Sequence, residues 1–364
     1  MKKKLIIFMP SIEGGGVEKN LFLVSNFLIK KIDNVSIITI SKKYKKKFDS
    51  DIEFITLSSV IWDKLSRRFK YFLSILLLVK EILKNRKITV FAFQANIYCI
   101  IICKLFFIKI ITRSNSAPIG WSQNPVKRLI FKFFLSLADK VMVNSIQFKK
   151  ELKKEFNVKA TCIYNPLNFD EIKQQSKLKS AKIYNSTKNL RILNIGRFTE
   201  QKDQITFLKA LNLVKDHIKI EAVIIGRGLL KKELINYINR NRLSNFVKVH
   251  DFVRNPYPLI KQTELFILSS KYEGLPNVLL EALTLKKFVI SSNCSTGPKE
   301  ILLNGKGGIL FKVGDYKQLA KKIKYYYQNK KVCQKLLNNS FKGLKRFDAM
   351  KNLNEYLLLV KSIN

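Results

Sequence analysis

The chain runs to 364 residues, 47% of them hydrophobic, too long for one ordinary core and with enough apolar material for two. Its 68 lysines and arginines outnumber 26 acids, and the formal charge of +42 favours anionic partners, nucleic acid and an anionic membrane surface being the two that charge alone offers. Two histidines and five scattered cysteines without a Cys-x-x-Cys pair exclude a disulfide scaffold and a structural zinc site, and fit reduced thiols in the cytosol.

Lysine, asparagine and isoleucine are abundant together, so the charge is either functional or a compositional bias. Met1-Lys-Lys-Lys4 is basic, but the apolar run after it stops at Pro10 and no small-residue cleavage site follows, so no signal peptide is expected. Leu5–Met9 reads as a buried strand, followed by a loop containing Gly14, Gly15 and Gly16 and by an apolar helix, Leu21–Ile29. Strand, glycine loop and helix are the usual phosphate-cradling order, although the loop is neither Gly-x-Gly-x-x-Gly nor a Walker loop; a plain flexible turn is the alternative. Val35–Ile40 and Ile52–Leu57 read as strands, with a solvated basic loop, Ser41–Lys47, between them. Ile61–Lys87 has the pattern of one long helix mixing Trp62, Phe69, Tyr71 and Phe72 with Lys64, Arg67, Arg68 and Lys70. Ile97–Ile111 comes nearest to a membrane span, but it carries Lys104 and Lys109 and falls short of the ~18–20 uncharged residues a span requires. Val126–Leu137 is a second basic-aromatic helix. Such helices either rest on a membrane surface or turn their aromatic stripe to the core and their lysines to water.

Val141–Ser145 reads as a strand, and Asn165-Pro166 forces an extended or turn conformation. Lys173–Lys188 is polar and poor in apolar residues, the profile of a linker. Leu190–Ile195 then opens a second strand–helix series, with Gly196-Arg197 at the strand end and Lys202-Asp203 before the helix Gln204–Val214. A guanidinium grips phosphate oxygens in pairs and a lysine binds as a point charge, so both side chains suit a diphosphate. Ala222–Gly226 and Phe246–Phe252 are further strands, and Arg254–Pro258 is a turn. Glu264–Ser270 is an apolar run ending in small polar residues, like a strand leaving a parallel sheet. Gly274 allows a tight turn, Pro276 suits the first helical position, and Val278, Leu279, Leu280, Ala282 and Leu283 give the helix its apolar face. Glu273 lies before this helix and Glu281 about two turns inside it, at the sheet edge where open α/β folds bind ligands. A shielded Glu281 needs donors, and vicinal sugar hydroxyls would supply two; the alternative is a solvent-facing helix residue. Tyr316–Gln328 is a basic helix and Phe347–Ile363 a last apolar one.

Glu273-Gly-Leu-Pro276 with Glu281, followed by Ser295-Thr-Gly-Pro298 and Glu300, resembles the Glu-x7-Glu signature of glycosyltransferase family 4. Gly196-Arg197 with Lys202-Asp203 is a second match, and Asn144, Ser145, Asn165 and Pro166 also resemble family positions. The resemblance implies an α/β chain of the GT-B fold, two Rossmann-like βαβ domains whose parallel sheets face a central cleft. The domains expected are 1–170 on the acceptor side, a linker at 171–188, a nucleotide-sugar-binding domain at 189–345, and a terminal helix, 346–364, crossing back to the first. It further implies a retaining hexosyltransferase, using a nucleotide-sugar, UDP-linked on family frequency, and a glycan acceptor, a lipid-linked surface polysaccharide precursor at the inner face of the plasma membrane. By family position, Arg197, Lys202 and Glu273 would carry catalysis, and Gly15, Gly16, Gly196, Gly274, Leu275, Asn277 and Glu281 would bind the donor. The family usually needs no metal, and no other cofactor is expected. This chain departs from relatives that carry a histidine in the first domain: His217 and His250 lie in the second and read as structural, and Arg113–Asn115 is the expected replacement. A sugar-nucleotide epimerase or hydrolase of the same fold is the alternative. A basic nucleic-acid-binding protein rests on charge alone, with no recognisable module, so no nucleic acid is expected.

Overall fold

The computed structural model describes residues 3–115 and 124–363, so Met1 and Lys2 of the basic start lie outside the described residues. The chain divides into two units, Met1–Pro166 with Ala349–Asn364, and Leu167–Asp348. In chain order the first unit contains β1 (Lys4–Phe8), α1 (Gly16–Ile29), β2 (Val35–Ile38), β3 (Glu53–Ile55), α2 (Arg67–Lys84), β4 (Ile88–Ala92), α3 (Asn96–Leu105), β5 (Lys109–Ser114), α4 (Pro125–Leu137), β6 (Lys140–Val143), α5 (Ile146–Phe156) and β7 (Thr161–Cys162). The second contains α6 (Phe169–Gln175), β8 (Leu190–Ile195), α7 (Gln204–Val214), β9 (Ile220–Gly226), α8 (Lys231–Arg240), β10 (Val247–Asp251), α9 (Tyr257–Gln262), β11 (Leu265–Leu268), α10 (Asn277–Thr284), β12 (Phe288–Ser292), α11 (Gly297–Ile301), β13 (Ile309–Phe311), α12 (Tyr316–Gln328) and α13 (Lys330–Gly343). The closing helix, α14 (Ala349–Lys361), belongs to the first unit.

Each unit is built on one parallel sheet, in the order β3-β2-β1-β4-β5-β6-β7 for the first and β10-β9-β8-β11-β12-β13 for the second. The central strands are continuous apolar runs because both of their faces are covered: Lys4–Phe8, Ile88–Ala92 and Leu265–Leu268 are buried throughout. One face of the first sheet packs on Leu21, Val24 and Leu28 of α1 and on Leu353, Tyr356 and Val360 of α14. The other packs on Leu78 and Ile82 of α2, on Cys99, Ile100 and Cys103 of α3, and on Phe148 and Leu152 of α5. Truncating one of these fully buried leucines would cost roughly 2–5 kcal/mol. Doubly wound parallel sheets of this kind, one per unit, are the GT-B architecture.

Three expectations are corrected in detail. The long helical pattern over 61–87 is broken: residues 60–64 form a 3-10 turn, Leu65 and Ser66 are extended, and α2 starts at Arg67. The residues expected to form a linker, 171–188, lie within the second unit. They begin with the end of α6, then run along the sheet with Ile183 and Tyr184 buried. The Tyr184 hydroxyl donates to the Ile192 carbonyl at 2.9 Å, and Glu221 accepts from the backbone amides of Asn185 and Ser186 at 2.6 and 2.9 Å. Two apolar side chains and one carboxylate therefore fix a segment that composition reads as loose. Pro276 is the cap residue before α10 rather than its first helical residue.

Arg113, the expected stand-in for a sugar-contacting histidine, is 1% exposed at the end of β5. Its Nε donates to the Tyr356 hydroxyl at 3.0 Å, one Nη donates to Asn165 Oδ1 at 2.8 Å, and the guanidinium lies over the Phe93 ring at 5.1 Å. It fastens α14 to the first sheet, a structural duty the sequence did not suggest. His217 and His250 are both exposed residues of the second unit.

Candidate functional site

Three neighbouring strands of the second sheet, β8, β11 and β12, run parallel and so end on the same edge. The loop after each carries part of the predicted constellation. After β8, Gly196 leads into Arg197, and Asp203 caps α7: its carboxylate accepts from the Thr206 amide at 3.3 Å and the Thr206 hydroxyl at 2.7 Å. Asp203 takes a left-handed conformation, φ 47°, to turn the chain into the helix. A side chain at Gly226, the last residue of β9, would meet the Gly196 carbonyl at 1.9 Å, so that glycine lets the end of β9 lie against the β8 loop.

The loops are stapled to one another. Lys271 donates its amide to the Gln201 carbonyl at 2.8 Å, the Gln201 side chain donates to the Tyr272 carbonyl at 3.0 Å, and the Ser269 hydroxyl donates to the Lys202 carbonyl at 3.0 Å. These join the β8 loop to the β11 loop. The Ser292 hydroxyl donates to the Ser270 carbonyl at 2.6 Å, and the Thr296 hydroxyl donates to the carbonyls of Glu273 and Gly274 at 3.0 and 2.9 Å. These join the β11 loop to the β12 loop. Gly297 donates its amide to the Gly274 carbonyl at 2.7 Å, and a side chain at Gly297 would meet that oxygen at 2.1 Å. Thr296, at φ 140° and ψ −77°, is held in a conformation rare for a residue with a side chain.

At the centre of these staples Lys202 and Glu273 form a shielded ion pair at 2.5 Å, with side chains 16% and 7% exposed. The same carboxylate oxygen accepts from the Ser270 hydroxyl at 2.6 Å. Arg197 is exposed on the same loop as Lys202 and donates to the Gln201 side chain at 3.4 Å. Leu275 is buried and Asn277 is the first residue of α10. Glu281 is the fifth residue of α10, one turn in rather than the expected two, and it is buried. Tyr257, at the start of α9, donates its hydroxyl to Glu281 Oε1 at 3.3 Å. Cys294 lies in the β12 loop, where burial and then the Glu273 charge push its thiol up to about 12, keeping it neutral.

Arg197, Lys202, Glu273, Glu281, Gly196, Gly274, Leu275 and Asn277 thus all sit on the loops and helix starts of one sheet edge in the second unit. Gly15 and Gly16 belong to the first unit, at the start of α1. There the Glu18 carboxylate folds back to accept from the Glu13 amide at 3.2 Å and would lie 2.9 Å from a side chain at Gly15. A carboxylate therefore lies beside Gly15, in the loop that the sequence offered either to a phosphate or as a plain turn. Sequence reasoning missed Gln201, Ser270 and Tyr257; the only signal for Ser270 was the small polar pair ending the β11 run. Among the described residues no cluster of three or more His, Cys, Asp or Glu is placed to hold a metal ion.

Residues 175–343 match the family described as glycosyl transferases group 1. The chain is 26% identical over 364 residues to an N-acetylgalactosamine-N,N'-diacetylbacillosaminyl-diphospho-undecaprenol 4-alpha-N-acetylgalactosaminyltransferase of Campylobacter jejuni, covering 96% of this chain and 97% of that one. It is 31% identical over 268 residues to an uncharacterised glycosyltransferase of Methanocaldococcus jannaschii, covering 64% of this chain and 66% of that one. Among solved structures, the Anabaena protein HepE in complex with UDP superposes with a TM-score of 0.78 at 16% identity, covering 99% of this chain and 100% of that one.

Proposed function

Since the chain is a GT4-like glycosyltransferase of the GT-B fold, we propose that it moves a hexose or N-acetylhexosamine from a UDP-sugar to a lipid-linked glycan precursor, with retention at the anomeric carbon. The observation that carries the reading is the shielded Lys202–Glu273 pair, held by Ser270 where three loops of one sheet edge are stapled together. The Campylobacter relative, matched over 96% of this chain, supports a diphospho-undecaprenol-linked acceptor. The UDP complex of HepE supports the nucleotide.

In this reading Arg197 and Lys202 receive the diphosphate as it departs, so the countercharge comes from the chain without a metal. Lys202 has three donors and gives one to Glu273, which leaves it able to serve a phosphate oxygen as well. Glu273 accepts from a hydroxyl of the sugar being moved, and amides around Gly274, Leu275 and Asn277 receive the donor. Glu281 holds the ribose hydroxyls in place of its present partner, Tyr257. The bond between the anomeric carbon and the diphosphate oxygen breaks, the acceptor oxygen bonds to that carbon from the same face, and the acceptor proton passes to the diphosphate. No protein nucleophile is needed. A lipid-linked acceptor supports a position at the inner face of the plasma membrane, and no helix among the described residues is long and apolar enough to cross it.

The test is transfer from radiolabelled UDP-sugars, with and without an undecaprenyl-diphosphate-linked acceptor. Lys202→Ala should lower kcat by roughly a hundred- to a thousandfold, the loss of one preorganised contact worth about 2.7–4 kcal/mol. Glu281→Gln should act mainly on the donor KM. Release of free sugar that the acceptor never captures identifies a hydrolase and overturns the reading, as does undiminished turnover in Lys202→Ala.

A further inference from the structure

Three adjoining helices of the first unit turn apolar side chains to solvent. α2 gives Leu78 and Ile82 to the core, yet its opposite stripe of Phe69, Phe72, Leu76 and Leu83 is exposed. α3 packs beside both α2 and α4 and exposes Tyr98, Ile101 and Leu105, with Phe107 beyond its end 92% exposed. α4 buries only Leu135 and exposes Val126, Ile130, Phe133 and Leu137, spaced as one helical face. A helix on a globular surface normally shows the reverse pattern, polar outward and apolar inward. Scattered exposed leucines are ordinary, but stripes on three neighbouring helices make one continuous apolar surface, and such surfaces mark interaction sites.

The charges around this surface select the partner. Across α2, α3 and α4 the only acid is Glu81, which is buried and paired with Lys4 and Lys84, both at 2.9 Å. The nearby acids Asp139 and Glu155 are each paired, with Lys104 at 2.6 Å and with Arg128 at 2.5 Å. Arg67, Arg68, Lys80, Lys127 and Lys132 are exposed on the same helices. The surface is therefore apolar and cationic with its acids neutralised. A second copy would bring the same cations face to face on a chain already at +42. A nucleic acid would meet the cations but would have no use for leucine and isoleucine stripes. A bilayer with anionic headgroups satisfies both parts, phosphates for the cations and acyl chains for the apolar stripe.

We propose that the outward face of α2, α3 and α4 is a docking surface for an anionic lipid bilayer, with the helices lying along it and none crossing it. Of the two alternatives that the basic-aromatic pattern leaves open, the apolar stripes of α2 and α4 face outward. The purpose of the surface rests on the proposed lipid-linked acceptor, but its chemistry does not. Docking is therefore measured on the full chain without donor or acceptor, so that failure of docking and failure of transfer are separate results.

The measurement is co-sedimentation with vesicles of phosphatidylglycerol and phosphatidylethanolamine, against vesicles of phosphatidylcholine. The native chain is expected to bind the anionic vesicles at least roughly tenfold more tightly than the neutral ones. Phe72→Ser, Leu76→Ser and Phe133→Ser together should weaken that binding at least roughly tenfold, with the far-ultraviolet spectrum and thermal midpoint unchanged because all three side chains are exposed. Arg68→Glu with Lys132→Glu, a change of charge alone, should do the same and provides the test should the apolar variant fold poorly. The proposal is overturned by native protein that leaves anionic vesicles unbound, by variants that bind as the native chain does, or by a native dimer that the apolar variant converts to a monomer.

Discussion

A single hydroxyl decides how firmly the central carboxylate is placed. Glu273 has two side-chain partners on one oxygen, Lys202 at 2.5 Å and Ser270 at 2.6 Å, and a buried carboxylate that loses a donor is left with unmet demand worth about 1–3 kcal/mol. Ser270→Ala should therefore reduce transfer by roughly ten- to a hundredfold, and Ser270→Thr, which keeps the hydroxyl, should restore most of it. Steady-state assays of both variants check this; equal loss in the two would mean that Ser270 acts through packing alone. Glu273, Glu281, Arg197 and Lys202 were legible in the sequence because each lies within a short stretch of fixed spacing. Gln201 and Tyr257 were not, because each acts on a group contributed by another loop or helix, and Ser270 was not, because only the turn of its own loop brings its hydroxyl back to Glu273. Ser270 reaches Glu273 across one turn, Gln201 reaches Tyr272 from the neighbouring strand's loop, and Tyr257 reaches Glu281 across 24 residues. No local pattern encodes the two distant meetings; for Gln201 and Tyr272 it is the pairing of β8 with β11 that brings the loops together.

Elements were legible where periodicity alone settles them and illegible where charge pairing does. Tyr316–Gln328 is helical over the residues predicted, and the buried strands follow their apolar runs. The first strand hides an interaction that its sequence does not announce: Lys4 of β1 bonds Glu53 of β3 at 2.7 Å and Glu81 of α2 at 2.9 Å. Burial pulls the Lys4 ammonium down, but hydrogen bonds to Glu53 and Glu81 outweigh it and leave the lysine raised. Burial likewise lifts Glu81, yet its bonds to Lys84 and Lys4 bring it below the usual 4.5, and Glu53 is lowered by Lys4 and Ser36 against burial. Carboxylates held below their unfolded value bind fewer protons folded than unfolded, so their stabilisation is complete above about pH 4.5 and drains away as pH falls through the lowered range. The first unit should thus lose stability from pH 5 toward pH 3, and Lys4→Met should flatten that slope while costing about 1–3 kcal/mol at pH 7. Urea unfolding of native and variant chains at both pH values measures it, and parallel slopes would show that the lysine is not the linkage. The cost applies to the shielded Lys4–Glu81 contact, because Glu53 is 57% exposed and its pairing is screened by solvent.

At the scale of the whole chain, the residues of the proposed site are shared unequally between the two units. The four charged residues of the proposed site lie in one unit, Arg197, Lys202 and Glu273 on loops stapled to one another and Glu281 on α10. Gly15 and Gly16, the other residues proposed for the donor, lie in the first unit at the start of α1, where the Glu18 carboxylate accepts from the Glu13 amide. The resemblance assigned donor contacts to residues of both units; the four charged residues proposed to hold the donor all belong to the second. A nucleotide diphosphate without its sugar should then need only that unit. At a hundred times its dissociation constant, UDP would stabilise the unit that binds it by about 2.7 kcal/mol, which slows exchange of amides released only by its unfolding roughly a hundredfold. Hydrogen exchange with and without UDP should show protection over 196–203, 270–277 and 292–297 and slower exchange in β8, β11 and β12, with β1, β4 and β5 unchanged. Protection spread equally over both units, or centred on residues 10–18, would show instead that the glycine loop holds the diphosphate and that Glu18 gives way to it.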